Sequence, residues 1–325
     1  VEECIRYIKP NLGAPTGFAP DGRPYYWSTV TAPAFTGATS QNTALRNRDF
    51  GVDSTIAAPT SKGEGTQVTL SLQGKRSQTW NWNIGYTYTE ATEVNTLTSS
   101  QAASNWNNAI RVDRNADVAE RSVYAIRDRF TANISYRKAF IADLITSVGV
   151  FYEGRSGKPF TFTFVNDMNG DGRSGVDPLY VPTAPGDVIF TGGAAMESAF
   201  FSYLDSNPDL AQYKGGIARV NGDSAPWVNN IDLRLTQELP GLFGFGKGEV
   251  SLDILNVGNL INKDWGQIKE VGFPGGFGVV RFAGIDPTTK KYRYDFRATD
   301  IRDLTLRDNR GESRWAMQVG VKFKF

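Results

Sequence analysis

The stretch Asp167 to Asp177 (DMNGDGRSGVD) holds the residue types best suited to chemistry. Asp167, Asn169 and Asp171 set hard oxygen donors at alternate positions, and Gly172 follows with the freedom of a sharp turn. This is how a calcium loop opens. Arg173 would add its backbone carbonyl at the seventh position. The twelfth position, where an EF-hand needs an acidic residue, is Pro178, and Asp177 lies one place early. An EF-hand is therefore not supported. Two readings stay open: a shortened loop that takes Ca2+, or an Asx-rich turn that tolerates left-handed backbone.

Other chemistry is narrowed by what the 325 residues lack. There is no histidine, and Cys4 is the one cysteine. Ser-His-Asp and Cys-His nucleophilic sites, HExxH metalloprotease sites, Cys-rich metal sites and intrachain disulfides are all excluded. Carboxylate pairs remain, without a distinctive spacing, so an enzyme is not expected. Lysine plus arginine (35) balances aspartate plus glutamate (34), which gives no basic surface for nucleic acid. Trp106, Trp265 and Phe277 lie in polar, loop-like segments, where exposed aromatic rings could stack on a ligand.

The elements that must position these residues read as β-strands. Arg314 to Phe325 alternates almost without fault: Trp315, Met317, Val319, Val321, Phe323 and Phe325 share one face, with Gln318, Gly320, Lys322 and Lys324 on the other. Similar alternation covers Val68 to Gln73, Thr79 to Thr89, Arg129 to Arg137, Leu144 to Tyr152, Trp227 to Thr236 and Glu249 to Ile254. The Leu144 strand is expected to run on into PFTFTF (159–164). Residues 1–64, rich in Pro, Gly, Ser and Thr, read as loop with one short hairpin, and the barrel part spans 65–325. Hairpins are also expected within FGVVRFAGID and KKYRYDF, whereas 166–225 reads as irregular.

Connection lengths add a second constraint. Strand, short link, strand and long segment repeat three times, so the long segments fall at one end of the strands. Arg129, Arg137, Asp232, Arg234, Glu249 and Asp253 sit mid-strand opposite apolar faces. Unpaired in a soluble core, each would cost several kcal/mol, roughly the penalty for an isolated buried polar group. A hydrated lumen on one side and lipid on the other removes that cost. Trp80, Tyr88, Tyr136, Tyr152, Trp227 and Trp315 near strand ends suit interfacial aromatic girdles. No run of about eighteen apolar residues suggests a membrane helix. The expectation is an all-β, transmembrane antiparallel barrel with long extracellular loops, of which about seven strands lie in this sequence. Seven cannot close alone, so the sequence reads as the C-terminal portion of a larger barrel. A two-sided β-sandwich is the plainer alternative and leaves the mid-strand charges unexplained.

The order of six stretches resembles the TonB-dependent outer-membrane receptors, and within them the Oar-like group. These are SSQAASNW, YAIRDRFTANISY, FTFVNDMNGDGRSGVDPLYVP, VNNIDLRLTQELP, LDILNVGNLINKDWG and the final QVGVKFKF. The likeness covers about residues 45 to 325. Gln318, Gly320, Phe323 and Phe325 resemble the signal read by the barrel-assembly machinery. The resemblance implies a Gram-negative outer-membrane location and a ligand moved across the bilayer with energy from TonB. It also implies a plug domain and a TonB box, neither of which is in the sequence given. The export signal would likewise lie outside VEECIRYIKP, which has no apolar leader. Two functions of other classes compete: a passive porin or adhesin barrel, and a secreted calcium-dependent β-domain. Upstream plug sequence separates the first, and solubility without detergent the second.

Overall fold

The computed structural model describes residues 4–32, 34–37, 54–75, 79–242, 245–307 and 311–324. Seven long strands dominate it: β1 (Glu64–Lys75), β2 (Trp80–Glu93), β3 (Asp128–Ile141), β4 (Leu144–Arg155), β5 (Val228–Leu242), β6 (Phe245–Leu255) and β7 (Ala316–Lys324). Each is antiparallel to its sequence neighbour, which makes one up-and-down sheet. These are the seven strands that the alternation predicts. Between β3 and β4 the chain reverses over Ala142 and Asp143, with Ala142 at φ 47°, the left-handed backbone that a two-residue hairpin needs to match strand twist. Among the described residues β1 and β7 have no long strand on their outer sides, so the sheet is open at both edges rather than a closed barrel.

Register carries the alternation from strand to strand. One row runs Trp82, Ile134, Val150, Leu233, Ile254 and Met317 across six strands. The next row, on the opposite face, runs Asn81, Ser135, Gly149, Arg234, Asp253 and Gln318. Charges on the polar face pair across strands: Arg129 with Glu153 at 2.7 Å and Arg234 with Asp253 at 3.5 Å. The apolar face is uncovered, with Leu70 66 % and Val319 69 % exposed. None of the seven strands contributes a residue to the large buried cluster of the molecule.

That cluster sits in a second body, at the end of the sheet where the three long segments leave and return. Its centre is a five-stranded sheet in the order Ile189–Phe190, Tyr292–Asp295, Gly276–Ile285, Pro159–Phe164, Asp223–Ser224. The hairpin expected within the third long segment is here, since Gly276–Ile285 and Tyr292–Asp295 pair antiparallel. The N-terminal hairpin is also present, Gly17–Phe18 against Pro24–Tyr25. Ala19, Trp27, Val30 and Phe35 pack into the same core as residues 160–296, so the change of pattern at residue 64 is not a change of packing.

Two expectations are corrected. PFTFTF does not continue β4, which ends at Arg155; Pro159–Phe164 instead lies parallel to Gly276–Ile285 with all six residues buried. The break falls at Gly157, where a Cβ would come within 2.1 Å of the Ala225 carbonyl oxygen, so the chain turns there into the loop body. A strand buried on both faces needs no polar alternation, and the threonines in the run hid this. The segment 166–225 is also less irregular than it reads. Gly193–Asp205 is a helix whose Phe200 and Leu204 are buried, with Phe200 5.2 Å from the Phe190 ring. Met196, Phe200 and Leu204 recur every fourth residue, a helical signal that a short polar window dilutes.

Phe164 is fully buried among Phe282, Tyr292 and Tyr294. Phe164→Ala is expected to lower unfolding free energy by about 3–5 kcal/mol in chemical denaturation. A loss under about 1 kcal/mol would mean that this core is not the cooperative centre of the loop body.

Candidate functional site

Three remote segments converge on the aspartate stretch. Asn166 first anchors it by taking the Phe282 N–H on Oδ1 (2.8 Å) and donating Nδ2 to the Phe282 carbonyl (3.0 Å). The chain then coils on itself. Asp167 accepts the Gly170 and Gly172 N–H groups at 2.7 and 2.8 Å, Asn169 accepts that of Asp171, and Asp171 that of Arg173. Gly170 has φ 78°, and a Cβ there would lie 2.7 Å from the Trp27 backbone nitrogen; both the turn and the approach require glycine. Asp177 closes the coil, with Oδ2 accepting the Met168 N–H at 2.9 Å.

The N-terminal segment lies against this coil. The Trp27 indole donates to the Met168 carbonyl (2.9 Å), the Tyr26 N–H to the Asn169 carbonyl (2.6 Å), and Arg23 to the Pro178 carbonyl (2.6 Å). Opposite it stands the segment around helix α1 (Ala102–Asn108). Arg114, fully buried, clasps the Asp171 carboxylate through Nε (2.8 Å) and Nη2, and its guanidinium lies 4.4 Å from the Trp106 ring centre. Arg173, half-exposed, donates to the Asn107 carbonyl. Burial pushes the Asp167 carboxyl up to about 7, with the neighbouring Asp177 carboxylate adding to the shift. Burial likewise raises Asp177 and draws Arg114 down to about 10.

Of the residues singled out for calcium, the structure keeps Asp167, Asn169 and Asp177 at the coil but commits Asp171 to Arg114. No group of three or more His, Cys, Asp or Glu side chains among the described residues is placed to hold a metal. Any cation here would rest on a mixed set of carboxylate, amide and carbonyl oxygens.

The aromatic candidates are not brought together. Trp106 is wholly buried rather than an exposed loop ring: Arg114 and Lys9 lie over its faces and Nε1 donates to Asn115 Oδ1 at 2.9 Å. Phe277 is half-buried against Phe160 and Phe162, pinning the five-stranded sheet. Trp265 alone stays open, 56 % exposed. In the terminal strand, Gln318 and Gly320 face Asp253 and Ser251, and the Phe323 ring covers Gly248; Phe325 lies outside the described residues.

Sequence reasoning missed Arg23, Trp27 and Arg114, whose roles come from separations of 57 to 155 residues. It also missed a polar cleft of about 510 Å³ lined by Arg121, Arg127, Tyr213 and Arg219. Two of the residues around it, Gln212 and Tyr213, donate hydrogen bonds to the buried Asp223 (3.0 and 3.1 Å). Comparison with family models, curated proteins and solved structures gives no match for this chain.

Arg114→Met leaves Asp171 buried without its cation and is expected to cost about 3–5 kcal/mol in unfolding experiments. The double change with Asp171→Leu should recover most of that loss, and equal destabilisation of single and double variants would remove the ion pair as the cause. A pH effect is expected at Asp223. Burial lifts its carboxyl to about 6, above the ordinary 3.8, against the Tyr213 bond and Arg121 and with repulsion from Asp209. Protonation is thus favoured by folding, so this contribution is full below about pH 4 and lost as pH rises through about 6. Asp223→Asn should flatten that part of the curve of unfolding midpoint against pH.

Proposed function

We propose that this chain is the C-terminal wall of a TonB-dependent outer-membrane receptor of the Oar-like group, which moves a ligand across the outer membrane. The observation that carries the reading is the apolar face that the seven-stranded sheet leaves uncovered. A patch running across six strands is far more than a soluble monomer leaves exposed, and a bilayer covers it without a second sheet. The opposite face, with its Arg–Glu and Arg–Asp pairs, suits a hydrated lumen. Aromatic rings stand at both levels of the apolar face. Trp80 packs on Tyr136 (4.7 Å) near the short links, while Trp227 and Trp315 directly precede β5 and β7 at the other end.

In this setting the short links face the periplasm and the loop body stands outside the cell. The body caps one end of the wall, where incoming ligand arrives, and its clefts offer mixed charge to capture it. The free edges of β1 and β7 accept the strands that complete the barrel, since an open edge in lipid leaves backbone groups unpaired. Gln318, Gly320, Phe323 and Phe325 serve the barrel-assembly machinery, and TonB acts through a plug-bearing region upstream.

Paired arginine substitutions on the two faces test the reading in the full-length protein. Ile134→Arg, in the apolar row, is expected to cost about 2–4 kcal/mol in the bilayer and to empty the outer-membrane fraction. Ser135→Arg, one residue on and facing the lumen, should leave its amount unchanged. Normal membrane recovery of Ile134→Arg, with the protein soluble in the absence of detergent, would favour a secreted β-domain instead.

A further inference from the structure

Three arginines share the cleft of about 510 Å³ between the end of β2 and the turn 212–222. The short strand Glu120–Arg121 pairs with Thr92 and Glu93 of β2, which brings Arg121 to the cleft. Its Nη1 donates to the Asn221 carbonyl (3.0 Å) and Nη2 to the Ala125 carbonyl (3.4 Å), while Asn221 Nδ2 donates to the Arg121 carbonyl (2.7 Å). Neutral acceptors therefore fix this guanidinium in place. Burial draws Arg121 below its ordinary value, and the charge of the neighbouring Arg127 adds to the shift. Arg127 and Arg219 are exposed, and among the described residues neither closes an ion pair within 4.0 Å or donates a side-chain hydrogen bond. The nearby carboxylates are engaged elsewhere: Glu90 takes the Tyr88 hydroxyl at 2.9 Å, and Asp223 takes Gln212 and Tyr213. Glu120 is half-buried, and burial raises its carboxyl against the pull of Arg111 and Arg219. Guanidiniums gathered without a bound anion repel one another, and an oxyanion between them turns that repulsion into charge-assisted hydrogen bonds.

We propose that this cleft binds the phosphate group of a small water-soluble ligand, with Arg127 and Arg219 as its two free forks and Arg121 as a fixed charge beside them. A guanidinium presents paired N–H donors in one plane, and a phosphate monoester offers three acceptor oxygens and nearly two charges to more than one such fork. A carboxylate has oxygens for one fork and half the charge. Glu90 and Glu120 share the lining and temper the attraction, so the hold is reversible. Aliphatic lining is confined to Ala91 and Val220, and Val220 is buried. That leaves no surface for an acyl chain and selects a soluble phosphate ester over a lipid headgroup. The proposal stands on the cleft alone and is independent of the membrane reading.

Calorimetry of the full chain with glycerol 3-phosphate tests it. Binding is expected, with inorganic phosphate competing and acetate at equal concentration failing to compete. Arg127→Gln and Arg219→Gln alter exposed side chains and should fold normally, each weakening glycerol 3-phosphate about ten- to a hundred-fold through the loss of charge-assisted hydrogen bonds. Glu90→Gln keeps an acceptor for Tyr88 and removes the opposing charge, so it should tighten binding several-fold. Arg302→Gln, at an exposed position outside the cleft, should leave the affinity unchanged. Absence of binding to the unaltered chain overturns the proposal, and so does an affinity that neither Arg127→Gln nor Arg219→Gln changes. Equal weakening by Arg302→Gln would reduce the effect to overall charge and overturn it as well. Tighter capture of phosphatidylglycerol in mixed micelles than of glycerol 3-phosphate would overturn the assignment to a soluble ligand.

Discussion

Side chains leave a strand on alternate sides, and in this chain that constraint is kept through six successive antiparallel pairings. A slip of one residue in any of them would carry Trp82, Ile134, Val150, Leu233, Ile254 and Met317 onto the face of Arg234 and Asp253. Among the described residues the register shifts within these pairings at Ala139 to Ile141, beside the hairpin and clear of the rows. Because the two faces differ so sharply in polarity, the sheet is defined by what must lie on each side of it. None of its strands adds a residue to the large buried cluster.

The loop body follows the opposite logic. Its stability comes from a conventional aromatic core in which Phe164 meets Phe282, Tyr292 and Tyr294 of a hairpin more than a hundred residues on. Around that core several polar groups are deeply buried in specific pairings, as in the Arg114 clasp on Asp171 and the Asn166 bridge to Phe282. Such pairs add little net stability over an apolar substitute, but they leave few alternative packings open. The division of labour is physical: a wall whose residues face outward on both sides, and a compact body that fixes the ends of its strands.

The seven strands, their order and the end to which the long segments belong were legible in the sequence. Residues such as Val68, Leu70 and Leu72, or Val319, Val321 and Phe323, reveal a strand by period alone. That signal is local, and it survives because every strand pairs with its neighbour in the chain. The same reasoning failed at PFTFTF and at Gly193–Asp205. Burial on both faces erased the alternation in the first, and polar neighbours masked the helical spacing in the second.

The candidate site divides in the same way. Asp167, Asn169, Asp171 and Gly172 announce a turn rich in oxygen donors, and the backbone follows that announcement closely. Whether each oxygen is free to act was settled only when Arg114 arrived from 57 residues away to take Asp171, and when Asp177 was buried with one oxygen bare. Trp106 shows the converse, a ring in a polar segment that the fold draws inward beneath Lys9 and Arg114. Sequence by itself determined the faces, because alternation is a property of neighbouring residues. Tertiary structure alone decided burial and charge pairing, because those depend on which distant segments meet.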